Sequence, residues 1–196
     1  MQKKPFKESL IGERVELRRP AATMEHAKEM FALLIRNEFF YPWRLSLVEL
    51  KSAEECLALI LRRLGEFDAM RSVYYDIYAD GVYIGEVYAR DIDYSSNAVK
   101  NFGYFMDSPF TRQGLATESV RILETELFTN GVHRICLFCH FFDPAVLNMA
   151  SETVAKKRGY TFEGTSRDAL YDKRNDRYAS ERMFSKLSTD DDSMKF

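Results

Sequence analysis

Phe105-Met106-Asp107-Ser108-Pro109-Phe110-Thr111-Arg112-Gln113-Gly114-Leu115-Ala116-Thr117-Glu118 is the stretch from which the rest of the chain can be read. An apolar run ends at Met106, a polar Asp-Ser-Pro turn follows, and a helical pattern opens at Gly114 with small residues. The first backbone N–H groups of a helix have no partner within it and carry the positive end of its dipole. A phosphate is the natural occupant of such a place. Gly114 and Ala116 let a diphosphate approach the backbone without a Cβ clash, and Arg112 adds a positive charge. By itself the stretch is equally an ordinary capped helix with a glycine in its turn, because it carries neither a GxGxxG nor a GKS signature.

Upstream, residues 73–78 and 82–91 read as strands joined at Asp80-Gly81, a dipeptide suited to the φ > 0 turn of a hairpin. A further strand, 99–106, follows a polar loop at 95–97. Nearer the start, 13–18 alternates Val15 and Leu17 with charges. Thr23 caps a helix carrying Met30, Phe31 and Leu34. Ser52, with Glu55 as its capping-box partner, opens another that carries Cys56, Leu57, Leu59, Ile60 and Leu64 at helical spacing. Between these helices lies the aromatic loop Phe39-Phe40-Tyr41-Pro42-Trp43-Arg44. Downstream the pattern predicts a helix over 114–130 ending at Gly131 and a strand over 134–141. A helix over 145–157 ending at Gly159 and strands over 160–167 and 178–187 complete it. The order β-α-α-β-β-β-α-β-α-β-β describes a mixed α/β sheet in which only the later strand–helix–strand crossovers demand parallel pairing. One domain is expected over 1–187, followed by a disordered acidic tail over 188–196.

Composition narrows the function classes. The chain has 196 residues, 46% apolar and 30% charged, a soluble globular balance. A domain of this size buries roughly 70% of its unfolded surface, so it needs neither disulfide nor metal to fold. A net charge of −2 leaves no basic footprint for nucleic acid. The apolar runs fall short of the ~20 residues a membrane helix requires. The opening MQKKPFKESLIGE has no apolar core or cleavage site, so a cytoplasmic protein without a signal peptide is expected. Cys136 and Cys139 form C-x-x-C inside a strand, where residues three apart point to opposite faces. His133 and His140 lack metal-ligand spacing. These two cysteines and Cys56 are therefore expected as buried free thiols in a reducing compartment, with no metal.

The block NFGYFMDSPFTRQGLATES, the strand RICLFCHF, then NMASETVAKKRGYTFEGTSRDALY and DRYASERMFSKL together resemble the GNAT acetyltransferases. The likeness is to the branch that includes the ribosomal-protein N-terminal acetyltransferases, whose opening is similar to IGERVELRRP and whose aromatic loop is similar to YPW. It spans residues ~11 to 187 in order. The resemblance implies a mostly antiparallel N-terminal sheet and a central parallel strand pair splayed around acetyl-CoA, flanked by helices. It implies that the diphosphate rests on Arg112, Gln113, Gly114, Leu115, Ala116 and Thr117. Pantetheine would lie between strand segments 104–106 (Tyr104, Phe105, Met106) and 137–140, with Asn148 and Ser151 facing it. Thr111 stands where the family has a leading Arg or Gln.

Many relatives use a tyrosine to protonate the departing thiolate, and Ala155 occupies that position here. Ser151 is then the best-placed acid. Nearer relatives have a carboxylate base where this chain has Leu170. Glu86, Asp168 or a water relay could replace it, and Glu86 is carried forward as the candidate base. Tyr41 and Trp43 are the candidate acceptor-binding residues. Direct attack of a neutral amine on the thioester needs no covalent enzyme intermediate, so neither Cys136 nor Cys139 need act as nucleophile. An α-amine near ~7.8 is about 14% neutral at pH 7, whereas a lysine-like amine near ~10.4 is about 0.04% neutral. A protein N-terminus is thus the easier acceptor. A small-molecule amine or polyamine, and a catalytically silent acyl-CoA-binding module, are the alternatives. Monomer and homodimer are both compatible with the sequence.

Overall fold

The computed structural model describes residues 4–37, 50–142, 148–172 and 176–190. The aromatic loop with Tyr41 and Trp43 lies outside the described residues, as do positions 191–196 of the tail.

Local chemistry sets the elements. Thr23 accepts a hydrogen bond from the His26 N–H at 3.2 Å and starts α1 (Met24–Arg36). Ser52 does the same for the Glu55 N–H at 3.3 Å and starts α2 (Ala53–Asp68), while Glu55 accepts in return from the Lys51 N–H at 2.7 Å. Each such cap is worth about 1 kcal/mol. A short hairpin, β1 (Ser9–Ile11) and β2 (Glu16–Arg18), precedes them. Only its second half matches the expected strand, because Glu13 and Arg14 form its turn. Next come β3 (Val73–Ala79), β4 (Val82–Asp93) and β5 (Ala98–Met106). The turn between β3 and β4 has φ of 49° at Asp80 and 77° at Gly81, as the Asp-Gly pair predicts. A 3₁₀ turn (Ser108–Phe110) leads into α3 (Leu115–Thr129). It is followed by β6 (Arg134–Phe141), α4 (Met149–Lys157), β7 (Thr161–Asp172) and β8 (Arg177–Leu187). Asn148, expected inside the last helix, is its N-cap instead. Ser188, expected in the disordered tail, donates its N–H to the His133 carbonyl at 2.8 Å.

The eight strands form one sheet in the order β1-β2-β3-β4-β5-β6-β8-β7. All neighbours are antiparallel except β5 and β6. This is the expected mixed α/β architecture, with a single parallel pair between neighbouring strands. Strand alternation divides the faces. Val73, Tyr75 and Ile77 of β3 share a core with Val120, Leu123 and Leu127 of α3 and with Val154 and Ala155 of α4. On the opposite face, Tyr83 and Phe105 pack against Met30, Leu33 and Leu34 of α1 and Cys56 and Ile60 of α2. Two buried ion pairs fasten these helices: His26 Nε2 faces Asp76 Oδ2 at 2.9 Å, and Arg63 Nη1 faces Glu86 Oε2 at 2.6 Å.

Candidate active site

The sheet opens where the parallel pair stops. The β5–β6 ladder runs from Ala98↔Arg134 to Phe102↔Leu137 and goes no further. Beyond it, β5 stays with β4 as far as Gly85↔Met106, and β6 stays with β8 as far as Phe141↔Ser180. The two inner strands therefore diverge into a cleft at their carboxyl ends. β4, which borders β5 here, is itself irregular against β3. Its register slips by one residue at Ile84, and Gly85 takes φ of 154°. A Cβ on Gly85 would meet the Phe105 carbonyl oxygen at 2.1 Å, so only glycine permits this approach.

The floor of the cleft leads to α3. Thr23, Ser52 and Asn148 cap the other three described α-helices with side chains, but α3 begins on Gly114, which has φ of 83° and supplies no side-chain cap. The first bond within the helix runs from the Glu118 N–H to the Gly114 carbonyl at 3.0 Å. The N–H groups of Leu115, Ala116 and Thr117 precede it and are the donors an anion would meet. Gly114 is exposed, and a Cβ there would come within 3.2 Å of Arg14 Nη2. The Arg112 side chain is exposed, whereas Gln113 turns back to donate to the Pro109 carbonyl at 2.9 Å. Leu115 is buried, so only its backbone is available to a ligand.

The far wall carries the candidate acid. Ser151, in the first turn of α4, accepts from the thiol of Cys139 on β6 at 3.2 Å. That contact leaves the hydroxyl proton of Ser151 to be donated elsewhere. Burial pushes the Cys139 thiol up to about 11, although its bond to Ser151 works the other way. Its thiolate is therefore scarce at neutral pH. The Asn148 carboxamide oxygen accepts from the Ser151 N–H at 3.3 Å, so the cap itself occupies that oxygen. Ala155 is fully buried in the core. On the near wall Phe105 and Met106 are buried and Tyr104 is half-buried, so their side chains are mainly core.

Glu86, carried forward as the candidate base, is not a freely exposed carboxylate. It is buried against α2, with Arg63 donating to both carboxylate oxygens at 2.6 and 3.3 Å. To take a proton it would have to give up that pair, and removing one partner of a buried pair costs roughly 3–5 kcal/mol. Asp168 is exposed on β7 with φ of 51°.

Three residues beyond those predicted brace the segments around the start of α3. Glu118 accepts from the backbone N–H groups of Glu13 and Arg14 at 2.7 and 2.9 Å and from Arg14 Nε at 3.1 Å. Burial opposes its ionisation, but these donors outweigh it and hold the carboxyl below its usual range. Arg14 also donates to the Gln113 carbonyl at 2.8 Å, which ties the β1–β2 turn to the start of α3. Asp107, fully buried at the end of β5, accepts from Arg36 Nε at 2.9 Å and from the Asn37 carboxamide at 2.7 Å. These bonds overcome burial and lower its carboxyl too, and they fix the end of α1 to the turn that leads into α3. The pairs lie 70 to 105 positions apart in sequence, beyond the reach of local periodicity.

Among the described residues, no group of His, Cys, Asp and Glu is arranged to hold a metal ion, and no helix is long and apolar enough to cross a membrane.

Comparison with known proteins gives a family and a fold. The model of the acetyltransferase (GNAT) domain family matches residues 14–161. Among solved structures, the microcin C7 self-immunity acetyltransferase MccE, in complex with acetyl-CoA and AMP, superposes with a TM-score of 0.81 at 20% identity. That match covers 93% of this chain and 98% of the other. RimL, an α-N-acetyltransferase of ribosomal protein L7/L12 joined to coenzyme A through a cysteine disulfide, gives a TM-score of 0.81 at 23% identity over 92% and 98%. Mycobacterium smegmatis RimJ, in complex with a CoA disulfide, gives 0.76 at 19% over 88% and 81%. At these identities the structures establish the fold. Comparison with curated proteins gave no significant match.

Proposed function

The chain belongs to the GNAT acetyltransferase family, and from that premise we propose that it moves the acetyl group of acetyl-CoA onto the α-amine of a protein or peptide. The observation that carries the reading is the uncapped, glycine-started α3 at the foot of a cleft between diverging parallel strands. A diphosphate fits the Leu115, Ala116 and Thr117 N–H groups, with Arg112 and Arg14 supplying positive charge. Gly114 keeps the approach clear of a Cβ. The pantetheine arm follows the cleft between 104–106 and 137–140, beside Asn148. Ser151 lends its proton to the departing sulfur, and the N–H near Met106 stabilises the developing oxyanion. RimL is named for acetylating a ribosomal-protein α-amine, and the relative acidity of α-ammonium groups favours the same class here.

Mass spectrometry of a mixed panel after incubation with acetyl-CoA tests the acceptor. Peptides with free α-amines should gain one acetyl group at the N-terminus. Acetylation confined to polyamines or other small amines would instead show the small-molecule acceptor class. Binding of acetyl-CoA with no acetylated product would show a silent module.

A further inference from the structure

The sheet register uncovers a polar row that the sequence does not. Across the face covered by α1 and α2, Asp76 lies opposite Glu86, Glu86 opposite Phe105, His140 opposite Glu181, and Glu181 opposite Ser166. The cleft divides this row between Phe105 and His140. Each stands three residues past the last β5–β6 pair, Phe102↔Leu137, so they face the cleft at matching heights. On the near side Asp76 and Glu86 are buried beneath the helices. On the far side the His140 and Glu181 side chains keep 31% and 19% of their exposure, with Nε2 and Oε2 3.6 Å apart.

The neighbour of His140 in sequence decides what this pair can do. Cys139 and His140 are consecutive strand residues, so their side chains leave β6 on opposite faces. Cys139 meets Ser151 on the α4 face. His140 is therefore on the other face, at the same height as the candidate acid. A thioester held in the plane of the sheet would have its sulfur beside Ser151 on one face. Its carbonyl would be open to an amine from the face of His140.

We propose that His140, backed by Glu181, is the proton acceptor for the attacking amine. This rests on the acetyl-transfer reading above. The amine nitrogen forms the C–N bond as the C–S bond breaks. The proton it sheds passes to the imidazole and on to water, while the sulfur takes a proton through Ser151, which recovers one from water. Glu181 acts as a positioning residue, since its carboxylate stabilises the imidazolium. Burial holds the Glu181 carboxyl above its usual range. Among the described residues nearby, Asp76 pairs with His26, Glu86 with Arg63 behind Phe105, Asp107 with Arg36, and Arg177 with Asp172, its guanidinium lying 3.6 Å from the centre of the Phe142 ring. An imidazole near ~6.5 suits an α-ammonium near ~7.8 far better than a lysine near ~10.4.

The test uses the full chain, acetyl-CoA and a peptide that the wild type acetylates at its α-amine, with kcat/KM followed from acid to alkaline pH. His140→Gln should lower kcat/KM at pH 7 by about 100-fold and leave acetyl-CoA affinity within a few-fold. Its kcat/KM should climb tenfold per pH unit to the peptide's own pKa, whereas the wild type levels off earlier. Glu181→Gln should move the wild-type levelling-off to lower pH, a change that loss of packing would not produce. If His140→Gln is unstable, His140→Ala rescued by added imidazole, but not by salt of equal ionic strength, supports the role. Absence of rescue in a folded variant opposes it. An active wild type whose rate and profile survive His140→Gln overturns the base alone. A wild type that binds acetyl-CoA and acetylates no amine overturns the transfer reading and the base together.

Discussion

Gly114→Glu is expected to abolish the rise in melting temperature that acetyl-CoA should produce in the wild type. For ligand at about a hundredfold over Kd, stabilisation of the folded wild type is roughly 2.7 kcal/mol, or about 5–10 °C for a domain of this length. The substituted side chain would fail for three physical reasons. Its carboxylate would occupy the place of the diphosphate, opposite donors that can satisfy only one anion. Its Cβ would come within 3.2 Å of Arg14 Nη2. It would also have to hold φ near 83°, which costs a non-glycine residue about 1 kcal/mol or more. Thermal melts of both proteins with and without acetyl-CoA give the answer. A variant that folds and shows the full wild-type shift would place the diphosphate elsewhere.

The second large effect is on turnover. Ser151→Ala is expected to lower kcat about 100-fold, in line with the loss of one well-placed proton donor. Acetyl-CoA affinity should stay within a few-fold, since the hydroxyl acts on the departing sulfur rather than on the bound thioester. The Cys139 thiol donates to this hydroxyl, so removing it also leaves a buried thiol without its acceptor, a small cost because S–H is a weak donor. Steady-state kinetics with saturating acceptor separate the two parameters. An unchanged kcat would reduce Ser151 to a residue of the first turn of α4.

Much of the fold was legible because its signals are local. The Asp80-Gly81 turn, the Thr23 and Ser52 caps and the glycine at the start of α3 each act within four residues, and each element stands where those residues put it. β1 escaped notice because Ser9–Ile11 is three residues long, too short for a period of two to declare itself. β7 runs to Asp172, five residues beyond the expected end, because its ladder resumes after a slip between Ser166 and Leu170. An irregularity of that kind interrupts the alternation on which the sequence reading depends.

The candidate site divides along the same line. Gly114, Ala116 and Ser151 were named as candidates through the resemblance of their motifs to the acetyltransferase family. The environment of Glu86 could not, because Arg63 is on another element and its pairing is set by the packing of α2 on the sheet. Arg14 and Glu118 meet across 104 residues, and His140 meets Glu181 only because β8 inserts between β6 and β7. Strand periodicity put Cys136 and Cys139 on opposite faces, and the same alternation sets His140 opposite Cys139. It could not say that one faces Ser151 and the other a carboxylate. Those contacts are properties of topology, and topology turns a short motif into a site with a proposed acid on one face and a proposed base on the other.

The central claim is that the foot of the cleft is built for acetyl-CoA, and isothermal titration of the wild-type protein with acetyl-CoA tests it most directly. The account predicts saturable binding of one acetyl-CoA per chain, with a dissociation constant in the micromolar range, about −8 kcal/mol. Absence of any binding heat at millimolar acetyl-CoA, at more than one temperature, would contradict it.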